Sequence, residues 1–281
     1  CDTYDEGAVT DAIVFAAPGP VVANSTLLAA PTIIGSSEVQ IPPISTALTS
    51  RTKRKTYLIN DVAAAAWEAI EVVSAARFLV LTVSSGIGSK LVDRTRAFPV
   101  YDDEPFFGEI GHVTVDSRQD APVCDCGGRG HLGAIASGRG TERLARLVAK
   151  SDPVGYHASE CFRRYRACAD EISNEQQLVP SAREGDPWAN NIISSAAEPL
   201  GRMLAAAIVT AALDRIVVIG GFARAVGPSY AEILMRHICS ALGDGALRFP
   251  KRDYVQLLNI GDNACLSGAA KYFRHRLRDH H

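Results

Sequence analysis

Charge of one sign is missing from this sequence. Its 281 residues carry 29 Lys and Arg against 31 Asp and Glu, a net charge of −2. A chain so balanced offers no broad positive face to nucleic acid or to an anionic membrane, and neither is expected as a partner. Long apolar runs are missing too. None reaches about eighteen residues, the length a membrane-spanning helix needs, so no spanning segment is expected. No secretory signal pattern opens the chain, and its seven cysteines are an odd number, which does not suit a complete disulfide framework. The expectation is a reduced, cytoplasmic compartment, where clustered cysteines favour metal over disulfide. What is present is 47% hydrophobic and 21% charged residues, enough apolar content for one large core or two smaller ones.

Ligand-type side chains are concentrated in one short segment: His112, Cys124, Cys126 and His131. Cys124 and Cys126 flank Asp125, and Gly127, Gly128 and Gly130 let the backbone turn so that His131 returns to the same point. Two thiolates and two imidazoles suit a closed tetrahedral zinc site, and soft sulfur selects zinc over magnesium or calcium. Four protein ligands leave no open position, so the zinc read here is structural. The alternatives are a Cys-x-Cys disulfide, which is strained because neighbouring side chains of an extended segment point apart, or unrelated buried thiols.

Strand-like and helix-like patterns alternate, as in an α/β fold. Apolar runs at 13–16, 56–59, 77–83 and 216–219 read as strands; 62–75, 141–150, 196–213 and 229–242 read as helices. The basic run 51–55 reads as a solvated loop. Arg163, Arg164 and Arg166 read as the wet face of a helix whose other face carries Cys161, Tyr165 and Cys168. Several candidate site residues fall just past strand ends, where open α/β sheets bind ligands.

These segments carry a resemblance. Gly108-Glu109-Ile110-Gly111-His112, then Cys124-Asp125-Cys126-Gly127, Gly130-His131-Leu132 and Ala136-Ser137-Gly138, resemble the signature of the ROK family of sugar kinases and related repressors. Ala16-Ala17-Pro18-Gly19-Pro20-Val21 is similar to that family's Pro-Gly-Pro-Val loop, and Asn60-Asp61 to its catalytic turn. Ser85-Gly86-Ile87-Gly88-Ser89 is similar to its second phosphate loop, and 216–221 to the strand and turn beside adenosine. The resemblance runs in family order from about residue 12 to 272. It implies a two-lobed, actin-like (ribonuclease-H-like) α/β sugar-kinase fold with a structural zinc site. The smaller lobe would hold residues 1–71 plus a returning C-terminal helix, 262–281. The larger would hold 72–261, with a cleft between them.

The resemblance also implies roles. Asp61 would be the general base taking the proton of an attacking hydroxyl. Asn60, Glu109 and His112 would position a sugar, and His112 would bind zinc through its other ring nitrogen. Ser84, Ser85, Gly86 and Gly88 would contact ATP phosphates through backbone N–H groups, and Gly220 and Gly221 would lie against adenosine. Mg²⁺ would accompany ATP, and a homo-oligomer, dimer or tetramer, is expected. Read without the family, Asn60-Asp61 also suits a helix cap, and Ser-Gly-x-Gly a plain tight turn.

The sequence departs from the family pattern at several points. His131 stands for the third cysteine, an exchange zinc accepts, and a serine stands for the first glycine of the second phosphate loop. Gly133 stands where a second sugar-contacting glutamate belongs, which points to an amino sugar or cyclitol rather than plain glucose. No Asp-x-Gly-Gly-Thr phosphate loop occurs: the chain opens at Cys1-Asp2-Thr3-Tyr4, about sixty residues into a typical member by motif spacing. A piece of a longer enzyme is the expectation. The alternatives are a non-catalytic sugar-binding regulator of the repressor branch or an inactive subunit paired with an intact one.

Overall fold

The computed structural model describes residues 12–34, 41–243, 253–261 and 263–277. The elements in order are β1 (Ala12–Ala17), β2 (Val21–Val22), β3 (Thr26–Leu27), α1 (Pro31–Ile34), α2 (Ile44–Thr52), β4 (Lys55–Asn60), α3 (Asp61–Ala69), β5 (Arg77–Val83) and β6 (Ile87–Asp93). After a long loop come α4 (Leu132–Ala136), α5 (Gly138–Ser151), α6 (Pro153–Ala158), α7 (Glu160–Tyr165), α8 (Val179–Arg183), α9 (Pro187–Ala211), β7 (Arg215–Ile219), α10 (Gly221–Val226), α11 (Pro228–Leu242), β8 (Val255–Leu257) and α12 (Ala264–Tyr272). Residues 1–11, and 262 and 278–281 of the expected returning helix, lie outside the described residues.

The central sheet has the order β6-β5-β7-β8, with β5–β6 antiparallel and the other pairs parallel. Strand β5 is apolar at successive positions because both of its faces are covered. Phe78 and Val80, with Val92 and Val217, face α3 and α12 through Ala63, Trp67 and Tyr272. Leu79, Leu81 and Val83 face the other way, onto Leu132, Leu200 and Leu204 of α4 and α9. The two-residue period of a strand thus divides one segment between two cores. A second sheet pairs β1 with β4 in parallel, register Ala17↔Asn60, over a small cluster of Ala17, Val21, Leu27 and Leu58.

Helix α12 lies on α3 so closely that a Cβ on Gly268 would stand 1.8 Å from the Ala64 carbonyl oxygen. Gly268→Ala improves helix propensity by about 1 kcal/mol, yet overpacking at this distance is expected to leave a net loss of about 2 kcal/mol. Urea denaturation of the two proteins checks this. An unchanged midpoint would show that α12 can shift away from α3.

Several expectations are corrected. The basic run does not form a loop: Arg51 and Thr52 end α2, Lys53 caps it in the left-handed region (φ 56°), and Lys55 opens β4. The helix after Asp61 stops at Ala69 rather than 75. The expected helix at 196–213 begins nine residues earlier, at Pro187, and accommodates Pro199 in its interior. Strands β2, β3, β6 and β8 are not expected from the sequence, and β6 takes in Ile87, Gly88 and Ser89 of the expected phosphate loop, pairing them with β5. Helix α7 ends at Tyr165 with Arg166 as its left-handed cap, so Cys168 lies beyond the helix rather than on its inner face. Helix α9 is by length and composition apolar enough to cross a membrane, although no run of about eighteen apolar residues occurs. Its Ile193, Leu200 and Leu204 are buried in the core that β5 shares with α4 and α11, which accounts for the apolar composition of a helix covered by its own chain.

Candidate active site

Asp61 is the first residue of α3, directly beyond the end of β4. The local chemistry explains why the helix begins here. Asn60 caps it: its side-chain oxygen accepts from the Ala63 N–H (3.0 Å), while its amide donates to the Gly19 carbonyl (3.0 Å). The amide therefore ties the Pro-Gly-Pro loop to the start of α3 and keeps one N–H and one lone pair beyond those bonds. The Asp61 carboxylate accepts from the Val62 N–H (2.8 Å). Burial raises its pKa from 3.8 to about 6, helped by the charge of Glu109 and opposed by the Val62 hydrogen bond and by Lys90. A carboxylate whose pKa is near 6 can accept a proton at neutral pH and is a better base than an exposed one.

Glu109 precedes a 3-10 turn over Ile110–His112, closed by the His112 N–H onto the Glu109 carbonyl (3.0 Å). That turn puts both side chains on one side, with Glu109 Oε2 4.0 Å from His112 Nε2. Strand β6 sets the approach of this segment. Ser89 donates to the Gly108 carbonyl through its N–H (2.8 Å) and its hydroxyl (3.1 Å). Burial raises the Glu109 pKa, and Lys90 opposes it. Lys90 itself, buried on β6, is a charged residue that sequence reading missed; the signal was a lysine inside an otherwise apolar or small run at 87–92.

His112, Cys124, Cys126 and His131 converge: their ligand atoms all lie within 4.8 Å of one another. Cys126 Sγ is 3.3 Å from His112 Nδ1 and 3.2 Å from His131 Nδ1, and Cys124 Sγ is 3.9 Å from His112 Nδ1. A tetrahedral zinc with ordinary bond lengths holds sulfur and nitrogen ligands about 3.6 Å apart, so the donor set fits that ion. Gly128 lets the knuckle close, since a Cβ there would stand 2.0 Å from the His131 ring. Burial holds both imidazoles toward the neutral, ligating form. The Cys124 thiol is pushed up by burial, a shift that a bound cation reverses. The described cysteines are free, Cys124 and Cys126 among them. His112 thus turns Nδ1 to the cluster and Nε2 toward Glu109.

An open cleft brings together Asn60, Asp61, Glu109, His112, the turn Ser84–Gly86, the first two residues of β6 (Ile87 and Gly88) and Gly220. Within the turn the Ser84 N–H donates to the Gly86 carbonyl (3.0 Å), so that donor is directed inward rather than at a ligand. A wider groove, lined by Gly138, Arg183, Gly221, Phe222 and Arg224, meets the cleft at Ser84 and Ser85. Gly220 and Gly221 accordingly fall on two sides of the junction, the first in the cleft and the second in the groove. A small side pocket opens past His112 toward Gly133, Arg139 and Arg143. Arg139 donates to the Ser85 carbonyl (2.8 Å) and pairs with Asp125, linking the turn to the cysteine knuckle.

The same α/β arrangement is found in a solved ROK family glucokinase from Streptomyces griseus in complex with glucose and AMPPNP. The structures superpose with a TM-score of 0.73 at 24% identity, over 96% of this chain and 83% of that one. The fold class is therefore that of the actin-like sugar kinases. Residues 3–276 match the ROK family profile, and the chain belongs to that family. Among curated relatives, a C(7)-cyclitol 7-kinase of Streptomyces hygroscopicus subsp. jinggangensis is 33% identical over 270 residues, 96% of this chain and 76% of that protein. A glucokinase of Thermotoga maritima is 28% identical over 253 residues, 84% of this chain and 71% of that protein.

Proposed function

We propose that this protein catalyses ATP-dependent phosphorylation of a hydroxyl on a sugar-like acceptor, with Asp61 as general base. The observation that carries this reading is the convergence of Asp61, Glu109 and His112 in one cleft that meets a nucleotide-sized groove at Ser84 and Ser85. Asp61 accepts the proton of the attacking hydroxyl, for which its pKa of about 6 is suited. Glu109 accepts hydrogen bonds from neighbouring hydroxyls, His112 Nε2 adds a further polar contact, and the remaining N–H of Asn60 adds another. The turn Ser85–Gly88 meets the phosphates, and Gly221 lies on the adenosine side. Mg²⁺ bound with ATP supplies charge neutralisation between the phosphates. Zinc on His112, Cys124, Cys126 and His131 would hold the Glu109–His112 turn in place.

The two-lobed division, 1–71 with 262–281 against 72–261, belongs to this reading; α12 packs on α3 and β1, and both helices also cover β5 and β7 of the larger lobe. Closure of the lobes would exclude water as a competing acceptor. A cytoplasmic homo-oligomer is part of the same proposal.

The acceptor we propose is a cyclitol or amino sugar. Gly133 presents no carboxylate to the side pocket, and Asp125, which also lines it, is paired with Arg139; the 33% identical relative bears the name of a cyclitol kinase. A turnover panel tests this directly: cyclitols or amino sugars should exceed glucose in kcat/KM, and clear preference for glucose would sink the substrate proposal. A Cβ at position 133 would stand 3.1 Å from the Gly111 carbonyl, tight enough that a small shift would admit a longer side chain. Gly133→Glu is expected to move the glucose-to-cyclitol ratio toward glucose by roughly tenfold, the value of one hydrogen-bonded carboxylate.

A further inference from the structure

We propose that Lys90 is a positioning residue for phosphoryl transfer: its ammonium, buried beneath the cleft, holds the segment bearing Glu109 and sets the field at Asp61. This rests on the kinase reading above. Lys90 stands opposite Val80 in the β5–β6 register and is 3% exposed. A lysine in such a place is costly unless its charge and donors are used.

Both are used here. Its Nζ donates to the Phe107 carbonyl, while the preceding residue, Ser89, holds the Gly108 carbonyl. Two successive residues of β6 thereby fix two successive carbonyls, and Glu109 follows next. The charge is set among three carboxylates on three elements: Glu109 before the 3-10 turn, Asp102 in the loop after β6, and Asp61 on α3. Asp102 is further engaged by the indole of Trp67 (2.8 Å) and by Arg276 (2.7 Å). Asn60 and Glu104 line the small cavity beside Lys90. Around Asp61 the other groups are Glu109, whose charge disfavours its ionised form, and the Cys265 thiol, which lies 3.5 Å from the Asp61 carbonyl. Lys90 is thus the cation that offsets Glu109 at the base. Without it, Asp61 would face a like charge alone and take up a proton at higher pH.

Lys90→Met keeps the length and removes the charge; Lys90→Arg keeps the charge. In Lys90→Met the acid limb of the kcat/KM profile for the acceptor is expected to move to higher pH, so that the loss near pH 6 exceeds the loss in the alkaline plateau by roughly two- to threefold. The acceptor KM should rise as the Glu109 segment loosens, and Lys90→Arg should restore the limb. Carboxyl-carbon NMR of Asp61 gives a second readout that needs no turnover: its midpoint should rise in Lys90→Met and return in Lys90→Arg. A loss equal at every pH, or an unchanged Asp61 midpoint, would overturn the proposal. Absence of ATP consumption by the unaltered protein with any acceptor overturns the kinase reading instead, and the Asp61 titration still decides whether Lys90 sets the field.

Discussion

Asp61→Asn is expected to lower kcat by about a thousandfold, within the usual contribution of a positioned general base, and to make the fold more stable at neutral pH. The two effects share one cause. The Asp61 carboxylate is held in a half-buried place that raises its pKa from 3.8 to about 6, so ionisation is disfavoured in the folded state. The sign follows from the raised value. Below 3.8 the group is protonated folded or unfolded; as pH rises through 6 the folded state must ionise a carboxyl that the environment resists, and stability falls. The whole shift is worth about 3 kcal/mol above both values. Asn is never ionised and keeps an oxygen for the Val62 N–H, so about 1–2 kcal/mol should be recovered at neutral pH and none at low pH. Thermal unfolding at acid and neutral pH, beside kcat with the best acceptor, measures both. An Asp61→Asn protein that still turns over at more than about a tenth of the rate would remove Asp61 from the role of base.

Much of this arrangement was legible in the sequence because the signals were local. The apolar run 77–83 became β5, and Asn60-Asp61 was readable as a helix cap, which places the next residue at a strand end facing the cleft. In the structure Asn60 does the capping and Asp61 faces outward into the cleft. The spacing of Glu109 and His112 was likewise a local fact. Long-range facts were not legible. Residues 87–93 show the weak alternation of a strand with a lysine inside it, and nothing nearby in sequence shows that Lys90 meets Phe107, Glu109 and Asp102 in space. The polarity of 51–55 suggested a loop, but the end of α2 and the edge of β4 are exposed enough to carry the same charges. Helix α9 stays apolar overall although Glu198 and Arg202 interrupt its run, and only its burial in the core, a long-range fact, explains that composition.

Removing one sulfur from the cysteine knuckle should be the next most damaging change after loss of Asp61, by a different route. Cys126 is the hub of the cluster, within 3.3 Å of both histidines. The protein is expected to hold one zinc ion per chain, and Cys126→Ser to lose it. With no cation, two thiols and two imidazoles within 4.8 Å gain nothing from their proximity, and burial pushes the Cys124 thiol toward its neutral, non-ligating form. The His112 ring would then be free to turn, taking Nε2 away from Glu109. A displacement of about 1 Å in groups that orient an acceptor lowers kcat/KM on the order of a hundredfold. The acceptor should suffer more than ATP, because the knuckle reaches the phosphate turn only indirectly, through Asp125 and Arg139 to the Ser85 carbonyl. Metal analysis of protein prepared without chelators, with acceptor and ATP kinetics on the same samples, resolves the matter. Zinc at full stoichiometry in Cys126→Ser would show that the ion is held without that sulfur, and undiminished acceptor kinetics in a zinc-free protein would show that the knuckle positions His112 without the ion.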